Sequence, residues 1–143
     1  MHPLHPMIVH FPIALLTTAV GLDLIGTRWR PNECRIAARV TLVLGFIAAV
    51  LALLSGHLAE EAVEHSGVPK TVLELHETLA GITTGMFAAL VALHMAVSMG
   101  WLRERRGLAV AIGLAGVVLL LVASYYGGSL VYEYGAGVVF SSK

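Results

Sequence analysis

Three imidazoles and a carboxylate are the residues best suited to chemistry. His10, His57 and His76 each lie at the edge of an apolar run, and Glu61 follows His57 by four residues. That spacing is one helical turn, so His57 and Glu61 share a face. Imidazole nitrogen ligates haem iron and also copper, zinc or iron ions. A carboxylate beside a ligand histidine completes an N3O set, or accepts the second ring N–H and fixes the tautomer. His2, His5 and His65 read as solvated. His94 lies 18 residues after His76, on the same helical face about 27 Å away. A lone embedded histidine of that kind reads as a hydrogen bonder between helices.

Other chemistries leave no trace. The motifs GxxxxGK[ST], GxSxG and HExxH do not occur. Cys34 is the single cysteine, and there is no CxxCH, so neither an intrachain disulfide nor covalent c-type haem attachment is available. Any enzymatic role would have to be redox.

These residues need elements to position them, and the composition says which. The chain is 57% hydrophobic and only 13% charged, with mean hydropathy +0.83; an ordinary soluble domain carries about 25% charged residues. Nine basic and nine acidic residues cancel, which excludes a basic nucleic-acid binder. A spanning helix needs about 20 mostly apolar residues, and four stretches qualify: about 8–26, 36–56 (with a polar extension toward Glu64), 72–100 and 108–127. Short polar breaks join them, so residues 1–143 form one all-α domain, an integral membrane four-helix bundle running up-down-up-down. No tandem repeat or low-complexity tract is visible. GGSLVYEYGAGV after the fourth span reads as a loop, placed to fold over the histidines and to offer Tyr132 or Tyr134 to a bound group.

Charge orients the bundle. Seven arginines (Arg28, Arg30, Arg35, Arg39, Arg103, Arg105 and Arg106) fall at one end, and only Lys70 and Lys143 at the other. The positive-inside rule makes the arginine end cytoplasmic and both termini external, as expected of a multi-pass protein of the bacterial inner membrane. His10, His57 and His76 then gather at one depth near the outer face. Asp23 lies within reach of Arg35 or Arg39, its expected partners. Pro12 predicts a kink in the first helix. Small residues give packing seams: Ala38, Gly45, Ala49, Ala52 and Gly56 on the second helix, and Gly81, Gly85, Ala88, Ala89 and Ala92 on the third. Gly81 and Gly85 would equally suit a homodimer seam.

The opening HPLHPMIVHFPIALL, the stretches SGHLAEEAVE and LELHETLAG, and the close GGSLVYEYGAGV resemble the bacterial membrane family catalogued as domain of unknown function 2231. The resemblance covers essentially the whole chain. It implies a four-helix membrane domain, carries no established activity, and matches His10 and His76 to histidines of the family pattern. Some relatives are joined to c-type cytochrome domains, which implies electron-transfer surroundings.

Three functional readings follow. The preferred one is a b-type cytochrome, with haem b held by His10 and His76 on diagonal helices and His57 as alternative or supporting ligand. Bis-imidazole ligation closes both axial positions and suits electron transfer, with a quinone or c-type cytochrome as partner. The second is a copper, zinc or iron ion held by His10, His57, Glu61 and His76. The third is a structural or partner subunit without a cofactor.

Overall fold

The structure is a computed structural model and describes residues 4–64 and 67–136. Five helices follow in order: α1 (Leu4–Ile8), α2 (His10–Ile25), α3 (Pro31–Glu64), α4 (Lys70–Ser98) and α5 (Arg106–Tyr132). The first two form a single span, because Val9 between them keeps helical angles (φ −60, ψ −22). Pro12 has no N–H to donate to the Ile8 carbonyl four residues back, so the hydrogen-bond ladder breaks where the kink was expected. Four stretches are long and apolar enough to cross a membrane: His5–Ile25, Pro31–Ala59, Lys70–Ser98 and Arg106–Tyr132. Pro31 opens α3 at the position where a missing N–H costs nothing. Gly100 adopts φ +77 after α4, and the bonds Gly100 N–H to Val97 O and Trp101 N–H to Ala96 O close that helix.

The helices form two tight hairpins, α1/α2 with α3 and α4 with α5, which join side by side so that α2 and α4 are diagonal. Glycine sets the closeness of each hairpin. A methyl group on Gly45 would lie 2.8 Å from Leu16 Cδ2, and one on Gly116 would lie 3.0 Å from Phe87 Cζ. Leu16 and Phe87 are fully buried. They head a core that includes Ala19, Val20, Leu42, Ala49, Leu90 and Leu120.

The two hairpins are built alike, position for position, at an offset of 71 residues. Leu16 and Phe87 stand at that offset, as do Gly45 and Gly116, Ala49 and Leu120, Ala52 and Ala123, and Gly56 and Gly127. The chain is thus a tandem of one hairpin, although no repeat is visible by inspection of the sequence. Residues identical between the halves are few, and several of them occupy the notches where helices touch.

Two expectations about packing change. Of the small residues on α4, Gly81, Gly85, Ala89 and Ala92 are exposed rather than packed inside, and a Cβ on Gly81 or Gly85 would meet nothing within 4 Å. The seam of the second hairpin runs instead through Gly116 of α5, against Phe87, while Gly113 of α5 faces the first hairpin, where a Cβ would meet Val20 at 2.9 Å. The second change concerns Gly127 and Gly128, which do not end the fourth span. The helix continues to Tyr132, and Gly127 serves as a packing notch. Tyr132 is 90% exposed, directed away from the bundle, and the rest of the expected lid (137–143) lies outside the described residues.

Gly116→Val should drive a branched side chain into Phe87 and cost about 1–3 kcal/mol or more. Gly81→Val should leave stability within about 0.5 kcal/mol. Unfolding of the detergent-solubilised protein by SDS titration, followed by circular dichroism, separates the two.

Candidate functional site

The short helix α1 places His5 one turn before the Val9 break and turns its ring toward α3. His5 Nδ1 lies 3.0 Å from the Ala52 carbonyl oxygen and 3.0 Å from Ser55 Oγ. Ser55 donates its own hydroxyl to Ala52 O at 2.9 Å. On the other hairpin, His76 Nδ1 lies 2.9 Å from the Ala123 carbonyl oxygen. A carbonyl oxygen only accepts, so Nδ1 must carry the hydrogen in both rings. Each neutral imidazole then keeps a free lone pair on Nε2.

The two rings face each other across the diagonal, with centroids 6.4 Å apart and planes at 77°. Each lies over a glycine four residues beyond its carbonyl partner. A methyl group on Gly56 would come within 3.0 Å of His5 Cε1, and one on Gly127 within 2.8 Å of His76 Cε1. The ring, the carbonyl anchor and the glycine are duplicated, whereas Ser55 has Tyr126 at the equivalent position. His5 to Ala52 and His76 to Ala123 are both separations of 47 residues. The pair therefore lies on the quasi-two-fold axis that relates the hairpins, each half supplying one ring, one anchoring carbonyl and one notch.

The residues singled out from the sequence divide unevenly around this pair. His76 is half-buried and central. His10 and His57 are exposed, and the Glu61 side chain lies outside the described residues, as do His2 and His65. The structure thus brings His76 to His5, a residue read as solvated, and not to His10. The reason is helical rotation: His10 follows His5 by five residues, about 140° further round a helix, so both cannot face the axis. Among the described residues, no three His, Cys, Asp or Glu groups converge as a metal cluster. A signal for His5 was present in the sequence, because only the pair His5 and His76 shares its offset with Gly56 and Gly127.

The axis carries a second polar pair at its arginine end. Asp23 Oδ2 and His94 Nε2 are 3.2 Å apart, with side chains 11% and 13% exposed. The contact is within ion-pair reach but is not an aligned hydrogen bond. Asp23 and His94 also stand at the offset of 71, so the partner of Asp23 is its equivalent on the diagonal helix rather than Arg35 or Arg39. The arginines are used otherwise. Arg35 Nη2 pairs with Glu104 at 3.1 Å. Arg106 Nη1 donates to the Gly26 carbonyl at 2.7 Å and its Nε lies 3.8 Å from Glu104, pinning the start of α5 to the end of α2.

Comparison with known proteins adds one assignment. The family model described as "Predicted membrane protein (DUF2231)" matches residues 1–139. The chain belongs to this family. No curated protein and no solved structure matches it. In this member of the family, the opening stretch HPMIVHFP starts with His5 itself, and the close GGSLVYEYGAGV starts with the notch glycine Gly127. The two stretches that carried the resemblance therefore meet at one place, on either side of His76.

Replacing Asp23 or His94 alone by leucine leaves the other polar group buried without its partner, and should cost about 3 kcal/mol. Replacing both should recover most of that loss, giving a coupling of at least about 1 kcal/mol. A double-mutant cycle in the SDS unfolding assay measures it.

Proposed function

We propose that this chain is a membrane electron-transfer protein in which His5 and His76 are the axial ligands of one haem b. The observation that carries the reading is the pair itself: two imidazoles, each anchored through Nδ1 to a backbone carbonyl, which in the neutral form leaves each Nε2 lone pair for a metal. Metal-ligating histidines characteristically donate their other N–H to a carbonyl or carboxylate. The two rings lie close, with centroids 6.4 Å apart, so both would be at hand for one metal. The N3O set of His10, His57, Glu61 and His76 has less support, since His10 and His57 are exposed while His76 is half-buried.

Haem held by two imidazoles has no open iron position, so it would supply one-electron transfer and not substrate activation. The chain's own contribution is to hold both rings. Ala52 and Ala123 fix their tautomers, and Gly56 and Gly127 let α3 and α5 approach closely enough to do so. The arginine asymmetry supports a bacterial inner-membrane protein with both termini outside. The pair would then lie near the periplasmic face, accessible to a quinone in the outer leaflet or to a c-type cytochrome.

The test is an absorption spectrum of the detergent-purified protein from haem-replete cells, air-oxidised and then dithionite-reduced, with copper, zinc and iron assayed on the same sample. A sharp reduced α-band is expected. It should be lost in His5→Ala and in His76→Ala and kept in His10→Ala and Glu61→Gln. Colourless wild-type protein overturns the haem reading. A band that survives His5→Ala but not His10→Ala would return the second ligand to His10. Gly127→Ala, which pushes a methyl group into the His76 ring, should shift or weaken the band while the protein remains folded by circular dichroism.

A further inference from the structure

Arg39 is the unexplained charge at the arginine end. It lies two turns inside α3, half-buried. Among the described residues it makes no hydrogen bond or ion pair, and its Nε is shielded from solvent without a partner. Arg35 and Arg106 share Glu104 and Asp23 lies against His94, so among the described residues none of these carboxylates pairs with Arg39. An ionised side chain at this depth needs a counter-charge.

A groove between α3 and α4 runs from Arg39 toward the middle of the bundle and has a volume of about 60 Å³. Below Arg39 its walls are Leu42, Val43, Val91 and Met95, and His94 closes its back. A smaller cavity of about 30 Å³ on the other side of Arg39 and His94 is ringed by Asp23, Arg35, Glu104, Arg105 and Arg106. The groove is thus cationic at its interfacial end and aliphatic along its length. A lipid with a phosphate above an acyl chain has the same order of polarity. Basic pockets between spanning helices are sites where anionic headgroups bind.

We propose that this groove holds one anionic phospholipid, its phosphodiester on Arg39 and one acyl chain along Leu42, Val43, Val91 and Met95. Arg39 donates guanidinium N–H groups to the phosphate oxygens, a charge-assisted contact. Anionic lipid is selected over a zwitterionic one because Arg39 has no counter-charge among the described residues, and a choline would bring a second cation beside it. The proposal is independent of the histidine pair at the far end of the axis.

The experiment is native mass spectrometry of the full chain released from mixed micelles containing phosphatidylglycerol, phosphatidylcholine or inorganic phosphate with detergent alone. The expected result is a retained phosphatidylglycerol adduct, favoured about fivefold or more over phosphatidylcholine, one basic residue at a membrane surface being worth about that factor. Arg39→Gln should abolish the preference and Arg39→Lys should keep most of it. Met95→Trp, which fills the groove without touching the charge, should lower retention of the lipid. Equal retention of the two lipids, a preference unchanged in Arg39→Gln, or binding of inorganic phosphate alone that is unaffected by Met95→Trp would each overturn the proposal.

Discussion

Helices in lipid gain little from burying apolar surface, since the surroundings are as apolar as the side chains. Association must come from close contact, and in this protein closeness is set by a large side chain lying on a glycine. Leu16 on Gly45 and Phe87 on Gly116 hold the middle of each hairpin. His5 on Gly56 and His76 on Gly127 repeat the device at the end away from the arginines. Where the backbones approach this closely, the Ala52 and Ala123 carbonyls come within reach of imidazole N–H groups. The packing rule and the candidate site are therefore one arrangement: the notch that joins the helices also aims the ring.

Duplication places polar groups on the axis in pairs. At the histidine end the two halves present the same residue. At the arginine end they present different residues, Asp23 and His94, 3.2 Å apart. Both pairs bring together polar side chains that would be costly alone in a spanning helix. They differ in how they are anchored. Each ring of the histidine pair is held through Nδ1 by a backbone carbonyl, whereas Asp23 and His94 lie against each other. That difference makes the histidine pair the candidate for a ligand.

Much of the architecture was legible from residue types. Run length identified four spans, and the Arg28–Arg39 and Arg103–Arg106 groups marked one end. The α3 seam of Ala38, Gly45, Ala49 and Ala52 is buried as expected. His76 is half-buried, and His94 lies against Asp23 of the diagonal helix. The α4 seam of Gly81 and Gly85, the loop at Gly127 and the partner of Asp23 did not survive as read, and His76 meets His5 rather than His10. Apart from the loop, each depended on how a helix is rotated about its own axis. A spanning helix is apolar all round, so its polarity pattern does not say which side meets a neighbour.

By itself, the sequence determined the elements and their order, because length, hydropathy and charge act within one segment. It also contained the duplicated hairpin, written in a handful of positions at one spacing, which acquire meaning only as contacts. The tertiary structure alone decided which histidine meets His76, which glycines are notches, and what Asp23 pairs with. Those outcomes depend on the rotation and depth of one helix against another, set by steric fit between side chains far apart in the chain.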